Sequence, residues 1–169
     1  VLSERAEAVF EAIIDGGARS GHDDIRVAAT QAAQAVGKLF EASIRSGQIS
    51  EAALFDRSYK PIPNTSPQKH SSQFDGFTDR VLPAIQEGLL ASMPQLAYAG
   101  AVDNNGYFPT HNKKFSQPLT GDYDTDLVNN RTKRIFSDRT GKRCGANTKP
   151  FLLQTYRRDT GEVMHDLSV

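Results

Sequence analysis

The chain has 169 residues, 20 Lys/Arg against 20 Asp/Glu, one cysteine and no tryptophan. That length suffices for one domain, or for a domain with a helical stalk. No stretch approaches the roughly 20 apolar residues of a membrane helix, no secretory signal opens the chain, and a lone cysteine excludes an internal disulfide framework and a multi-cysteine zinc site.

The chain begins at Val1 and reads as a piece of a longer protein, whose remainder can carry a membrane anchor of its own. Val1 to Asp15 places Leu2, Ala6, Val9 and Ile13 on one stripe, with spacings close to a heptad, and Gly16-Gly17 breaks it. Asp23-Asp24 then charges the start of a second helix running to about Ser46. Its stripe is Ile25, Ala29, Ala32, Val36 and Leu39, with Phe40 and Ile44 beside it. These helices form either a dimer seam or a hairpin packed on its own domain. Residues 1–47 are thus a helical stalk or hairpin, and 48–169 a second unit.

Ser50 to Phe55 suits one helical turn, and "YKPIPNTSPQKH" an exposed, extended connection. Gln73 to Ser92 returns to helix with Phe74, Phe77, Val81, Ile85 and Leu89 on one face; Pro83 should kink or restart it. Leu96 to Val102 has the length of a buried strand, and Asp103-Asn104-Asn105-Gly106 suits a type I′ hairpin. "YFPTHN" would be the returning strand, limited by Pro109. A polar stretch follows with a helical candidate at Asp124 to Phe136. "PFLLQTYRR" and "EVMHDLSV" then flank a second hairpin at Asp159-Thr160-Gly161. Helices first and hairpins afterwards make the class α+β, with an antiparallel sheet and a helical insertion. That is the plan of PAS-like sensory domains, whose last strand is missing here or comes from another chain.

Two runs, "AGAVDNNGYFPTHNKKFSQPLTGDY" and "NNRTKRIFSDRTGKRCGANTKPFLLQTYRRDTGEVMHDLSV", resemble bacterial methyl-accepting chemotaxis proteins. The likeness is to the sensory region that in some of them follows the signalling hairpin, and it covers about 55–169. It implies a PAS/Cache-like cytoplasmic sensor without catalysis, coupled through the receptor's signalling domain to a histidine-kinase pathway. Similar receptors continue with a Pro-Ile step and a Gly- and aromatic-rich strand, and this chain departs from them there.

From Lys113 onward there are 11 Lys/Arg against 7 Asp/Glu, a mild excess far below the basic footprint of a nucleic-acid domain. Within it, Arg131 and Arg134 would share a helical face, and with Arg139 they suit bidentate capture of a carboxylate or phosphate. The alternative is a solvated cationic face paired with Asp124, Asp126 and Asp138. Asp138 is expected to cap its own turn and to fix Arg134 by an ion pair. Strand alternation puts Leu152, Gln154 and Tyr156 on one face, suited to orienting a polar ligand. Tyr107 and Tyr156 are either pocket or core residues. The expected ligand site is therefore Tyr107, Arg131, Arg134, Asp138, Arg139, Gln154 and Tyr156, for a small polar anion. His111 and His165 have no spaced partners, so neither metal nor cofactor is expected. Cys144, flanked by Arg143, is either a cation-activated thiol or an idle one, and an unpaired thiol fits a reducing cytoplasm. No nucleophile elbow or phosphate loop is present, so no enzyme is expected.

Overall fold

The computed structural model describes residues 2–17 and 20–169. Val1 and the Leu2 side chain, assigned above to the first helix, lie outside the described residues. Helices α1 (Leu2–Asp15) and α2 (Asp23–Arg45) form where the apolar stripes place them. Asp23 and Asp24 lie in the first turn of α2, where the helix dipole favours carboxylates. The stripe Ile25, Ala29, Ala32, Val36 and Leu39 is only half-buried. Phe40 and Ile44, by contrast, pack on the core of Ile49, Leu54, Phe74, Phe77 and Tyr107. The core is thus shared across the turn at Gly47, where the boundary between the two units was expected. Helix α3 (Glu51–Leu54) is capped by Ser50, whose Oγ accepts from the Ala53 N–H at 3.1 Å.

Helix α4 (Asp75–Ser92) passes through Pro83 without restarting. Its buried positions are Asp75, Phe77, Thr78, Leu82 and Gln86, so the inner face lies about one residue on from the expected Val81, Ile85 and Leu89. Polar groups set that rotation: the Thr110 hydroxyl lies 3.1 Å from Thr78 Oγ1 and 2.6 Å from Asp79 Oδ1. An apolar periodicity cannot anticipate them.

The strands form three separate antiparallel pairs rather than one sheet. β1 (Lys60–Ile62) pairs with β2 (Lys69–Ser71), inside the segment expected to be a plain connection. β3 (Tyr107–Phe108) pairs with β4 (Arg134–Ile135), and β5 (Leu152–Arg157) with β6 (Val163–Ser168). Leu96 to Val102 is not a strand: the Ala99 N–H is taken by Asn112 Oδ1 at 2.8 Å, a side chain where a ladder would need a neighbour. The Asp103–Gly106 turn closes with Gly106 N–H on the Asp103 carbonyl at 2.9 Å, yet only Gly106 has positive φ, +78°. It is therefore a type I turn followed by a left-handed glycine, not type I′. The Arg158–Glu162 turn repeats that arrangement, with Gly161 at φ +98°.

The expected helix 124–136 is shorter, α5 (Tyr123–Asn129), capped by the Asp122 carboxylate. Beyond it Arg131 N–H bonds the Phe115 carbonyl at 2.7 Å, and Lys133, at φ +62°, bonds the Phe108 carbonyl at 2.7 Å. These contacts convert helix into β4. Helix α6 (Arg139–Gly145) stands where only a turn was expected, and Asp138 caps it through the Thr140 and Gly141 N–H groups. Packing places α2 along α4 and β6, and α1 beside β5. Mixed helix and small antiparallel sheets make the class α+β. No described helix is long and apolar enough to cross a membrane.

Candidate anion-binding site

The site is built from two segments joined by ion pairs. The α5–β4 connection carries Arg131, and β4 carries Arg134; the turn between β5 and β6 carries Arg158 and Asp159. Arg131 Nη1 donates to Asp159 Oδ1 at 2.8 Å, and Arg134 Nη2 donates to Oδ2 at 3.3 Å. The carboxylate is therefore shared, one oxygen to each guanidinium. Both cations lie over the Phe136 ring, at 5.2 and 5.0 Å from its centroid, close enough for the ring face to stabilise them. Arg158 lies over Phe115 at 5.1 Å and Tyr98 at 5.8 Å. His111 stacks on Phe108 at 4.2 Å and meets Phe115 edge-on at 4.9 Å, while its Nδ1 accepts from the Asn112 N–H at 2.8 Å.

Cation is in excess here. Arg131 and Arg134 share Asp159, Arg158 has no ion pair to it, and Glu162 acts on Arg131 and Arg158 only through space. Arg134 Nη1 and Arg158 Nε are buried without a hydrogen-bond partner among the described residues. A buried unpaired donor costs about 1–3 kcal/mol, and more when charged, so these atoms mark where acceptor oxygens would be stabilising. The field shows in the titrating groups. Burial, reinforced by Arg131, Arg158, Lys114 and Arg134, lowers His111 to about 3 and keeps it neutral. Burial and then Arg131 lower Arg134. Burial alone would raise Asp159, but the hydrogen bond and charge of Arg131, followed by Arg134, outweigh it and hold the carboxyl below its ordinary value.

Of the seven expected residues, only Arg131 and Arg134 meet, and they do so through Asp159 rather than along a helix. The expected Asp138–Arg134 ion pair is absent, because Asp138 is committed to capping α6. Nor do Asp124, Asp126 and Asp138 neutralise these arginines; Asp126 instead accepts from Thr120 and Gly121. Arg139 points to α1 and pairs with Glu4 at 2.6 Å. Tyr107 is fully buried in the core, its hydroxyl 2.9 Å from both Asp75 oxygens. Gln154 is buried and donates to the Thr140 carbonyl at 3.1 Å. Tyr156 is half-buried near Tyr98 and Asp166, and burial raises its pKa. Phe151, Leu152, Leu153 and Gln154 are all buried, so the start of β5 is covered on both faces.

Tyr98, Phe136, Arg158 and Asp159 were missed. "RRDTG" reads as a strand end and turn, yet two arginines beside a turn aspartate, opposite a cationic segment, are the signal that pointed there. For Cys144 the structure favours the idle thiol of the two readings. Its thiol is pushed up to about 11 by burial and by Asp166, while Arg143 turns away to Glu7 at 2.9 Å. Among the described residues no group of three His, Cys, Asp or Glu could hold a metal ion. A separate apolar cavity of about 160 Å³ lies among Phe40, Leu54, Phe74, Leu82 and Val102. Its Arg57 is occupied by Asn104, Asp103 and the Asp56 carbonyl, which leaves little to orient a polar ligand. No family model, curated protein or solved structure matches the chain.

Proposed function

We propose that this chain is the cytoplasmic, PAS/Cache-like sensory domain of a bacterial chemotaxis receptor, and that it binds a small anionic metabolite at Arg131, Arg134 and Arg158. The observation that carries the ligand is the pair of buried, unpartnered donors, Arg134 Nη1 and Arg158 Nε, beside a carboxylate already shared by two guanidiniums. The receptor assignment is supported by the resemblance of residues 55–169. Its fold part is supported by small antiparallel sheets interleaved with helical elements after N-terminal helices. On this reading the domain has no catalytic step. Ligand shifts the population between two packings of the β5–β6 hairpin, and α2, which packs on β6, passes the change towards the signalling domain and kinase pathway.

A thermal-shift panel of carboxylates, amino acids, phosphates and nucleobases tests this. A ligand at 100 times its Kd adds about 2.7 kcal/mol, or roughly 5–10 °C for a chain of this size. If no anion raises the melting temperature, the reading fails.

A second reading is a ligand-free dimerisation or docking module. It is favoured by the exposure of Val9, Ile13 and Val27 on α1 and α2, with the α2 stripe only half-buried. Sedimentation equilibrium decides it: a tight dimer that binds nothing in the panel supports the module, and a monomer removes it.

A further inference from the structure

Asp159 has the geometry of a bound ligand. Its two oxygens are held by two different guanidiniums, at 2.8 and 3.3 Å, so the site as folded is already shaped for a planar carboxylate. The arginines are nearly out of solvent, their side chains 7% and 13% exposed, whereas Asp159 is 34% exposed. The aspartate is thus the solvent-side member of the cluster. It sits in a turn held by Arg158 N–H on the Glu162 carbonyl at 2.8 Å and Gly161 N–H on the Arg158 carbonyl at 2.9 Å. Arg157 Nη1 also reaches the Gly161 carbonyl at 3.1 Å. None of these bonds uses the Asp159 carboxylate, so the turn keeps its backbone bonds when that side chain leaves.

We propose that Asp159 is an internal surrogate for the ligand: the ligand is a carboxylate, and it exchanges with Asp159 on Arg131 and Arg134. This rests on the anion-site reading above and adds to it both the ligand class and the competitor. An incoming carboxylate takes the same two guanidiniums without the backbone tether that holds Asp159 in its turn, so it is free to shift toward Arg134 Nη1, which Asp159 leaves unpaired. The released turn swings on the β5–β6 ladder, whose register runs from Leu152↔Ser168 to Arg157↔Val163. The exchange is therefore the step that couples occupancy to the hairpin that α1 and α2 contact.

The test titrates sodium acetate and inorganic phosphate into wild type and Asp159→Asn, followed by amide NMR. The amide keeps the size of the carboxylate but not its charge, so it competes poorly for two cations. Asp159→Asn is expected to bind acetate about tenfold more tightly, a change of about 1.4 kcal/mol, with a smaller gain for phosphate. In wild type, acetate should move the Arg158 to Glu162 amides; in the variant they should already sit near the liganded positions. Equal acetate affinity in the two proteins would overturn the exchange while leaving the anion site standing. A phosphate gain as large as that for acetate would overturn the carboxylate class. Failure of either anion to bind either protein would overturn the anion site itself.

Discussion

Replacing Tyr107 with Phe separates two roles for one residue. The tyrosine is fully buried, and its ring packs 4.9 Å from Tyr59 and 5.9 Å from Phe74. Those contacts survive in phenylalanine. The hydroxyl is lost, and with it the bond to the Asp75 carboxylate at 2.9 Å; the His70 carbonyl also lies 3.0 Å away. Asp75 keeps two donors, the Ser72 N–H at 3.0 Å and Oγ at 2.7 Å, so one charge-assisted bond disappears without stranding the carboxylate. Such bonds contribute about 1.5–3 kcal/mol, so the expected loss is about 2 kcal/mol. For a chain of this length that lowers Tm by roughly 4–8 °C. Urea denaturation followed by circular dichroism measures it, and a carboxylate titration on the same variant should show unchanged affinity. Unaltered stability together with a tenfold loss of affinity would refute the core assignment and return Tyr107 to the ligand site.

His111 sets a pH dependence. Its folded pKa is lowered to about 3, below the ordinary value of about 6.5, by burial and then by Arg131 and Arg158. Below pH 6.5 the unfolded chain takes up a proton that the folded chain refuses, so stability is lost as pH falls through that window. The slope is at most about 1.4 kcal/mol per pH unit. Denaturation midpoints at pH 6.5 and 5 should show wild type losing about 2 kcal/mol more than His111→Gln, and equal losses would contradict the assignment. For Cys144, a thiol raised to about 11 by burial predicts iodoacetamide labelling at pH 8 roughly a hundredfold slower in the folded protein than in urea, since the thiolate is the nucleophile. Similar rates would contradict the raised thiol, and faster labelling of the folded protein would favour the activated thiol.

Elements governed by local chemistry were legible in the sequence. The glycine breaks, the helical turn after Ser50, α2 and the β5–β6 hairpin follow from short-range rules, and they stand where those rules put them. Features that depend on partners distant in the chain were not legible. Leu96 to Val102 has the composition of a strand, but Asn112 reaches the Ala99 N–H first. Arg131 and Arg134 do converge, through an aspartate 28 and 25 residues away respectively rather than through helical spacing. Asp138 and Arg139 left the site because each found a nearer task, one capping α6 and the other holding Glu4. An ion pair's partner is chosen by tertiary proximity, and periodicity carries no record of it.

The central claim is that the arginine cluster binds the anion. Its most direct test is calorimetric titration of the strongest carboxylate from the panel into wild type and Arg134→Ala, with matching circular dichroism spectra as the fold control. Loss of the Arg134 donors should weaken binding by about 1.5–3 kcal/mol, or roughly 10- to 100-fold. An Arg134→Ala protein that binds with wild-type affinity would contradict the account.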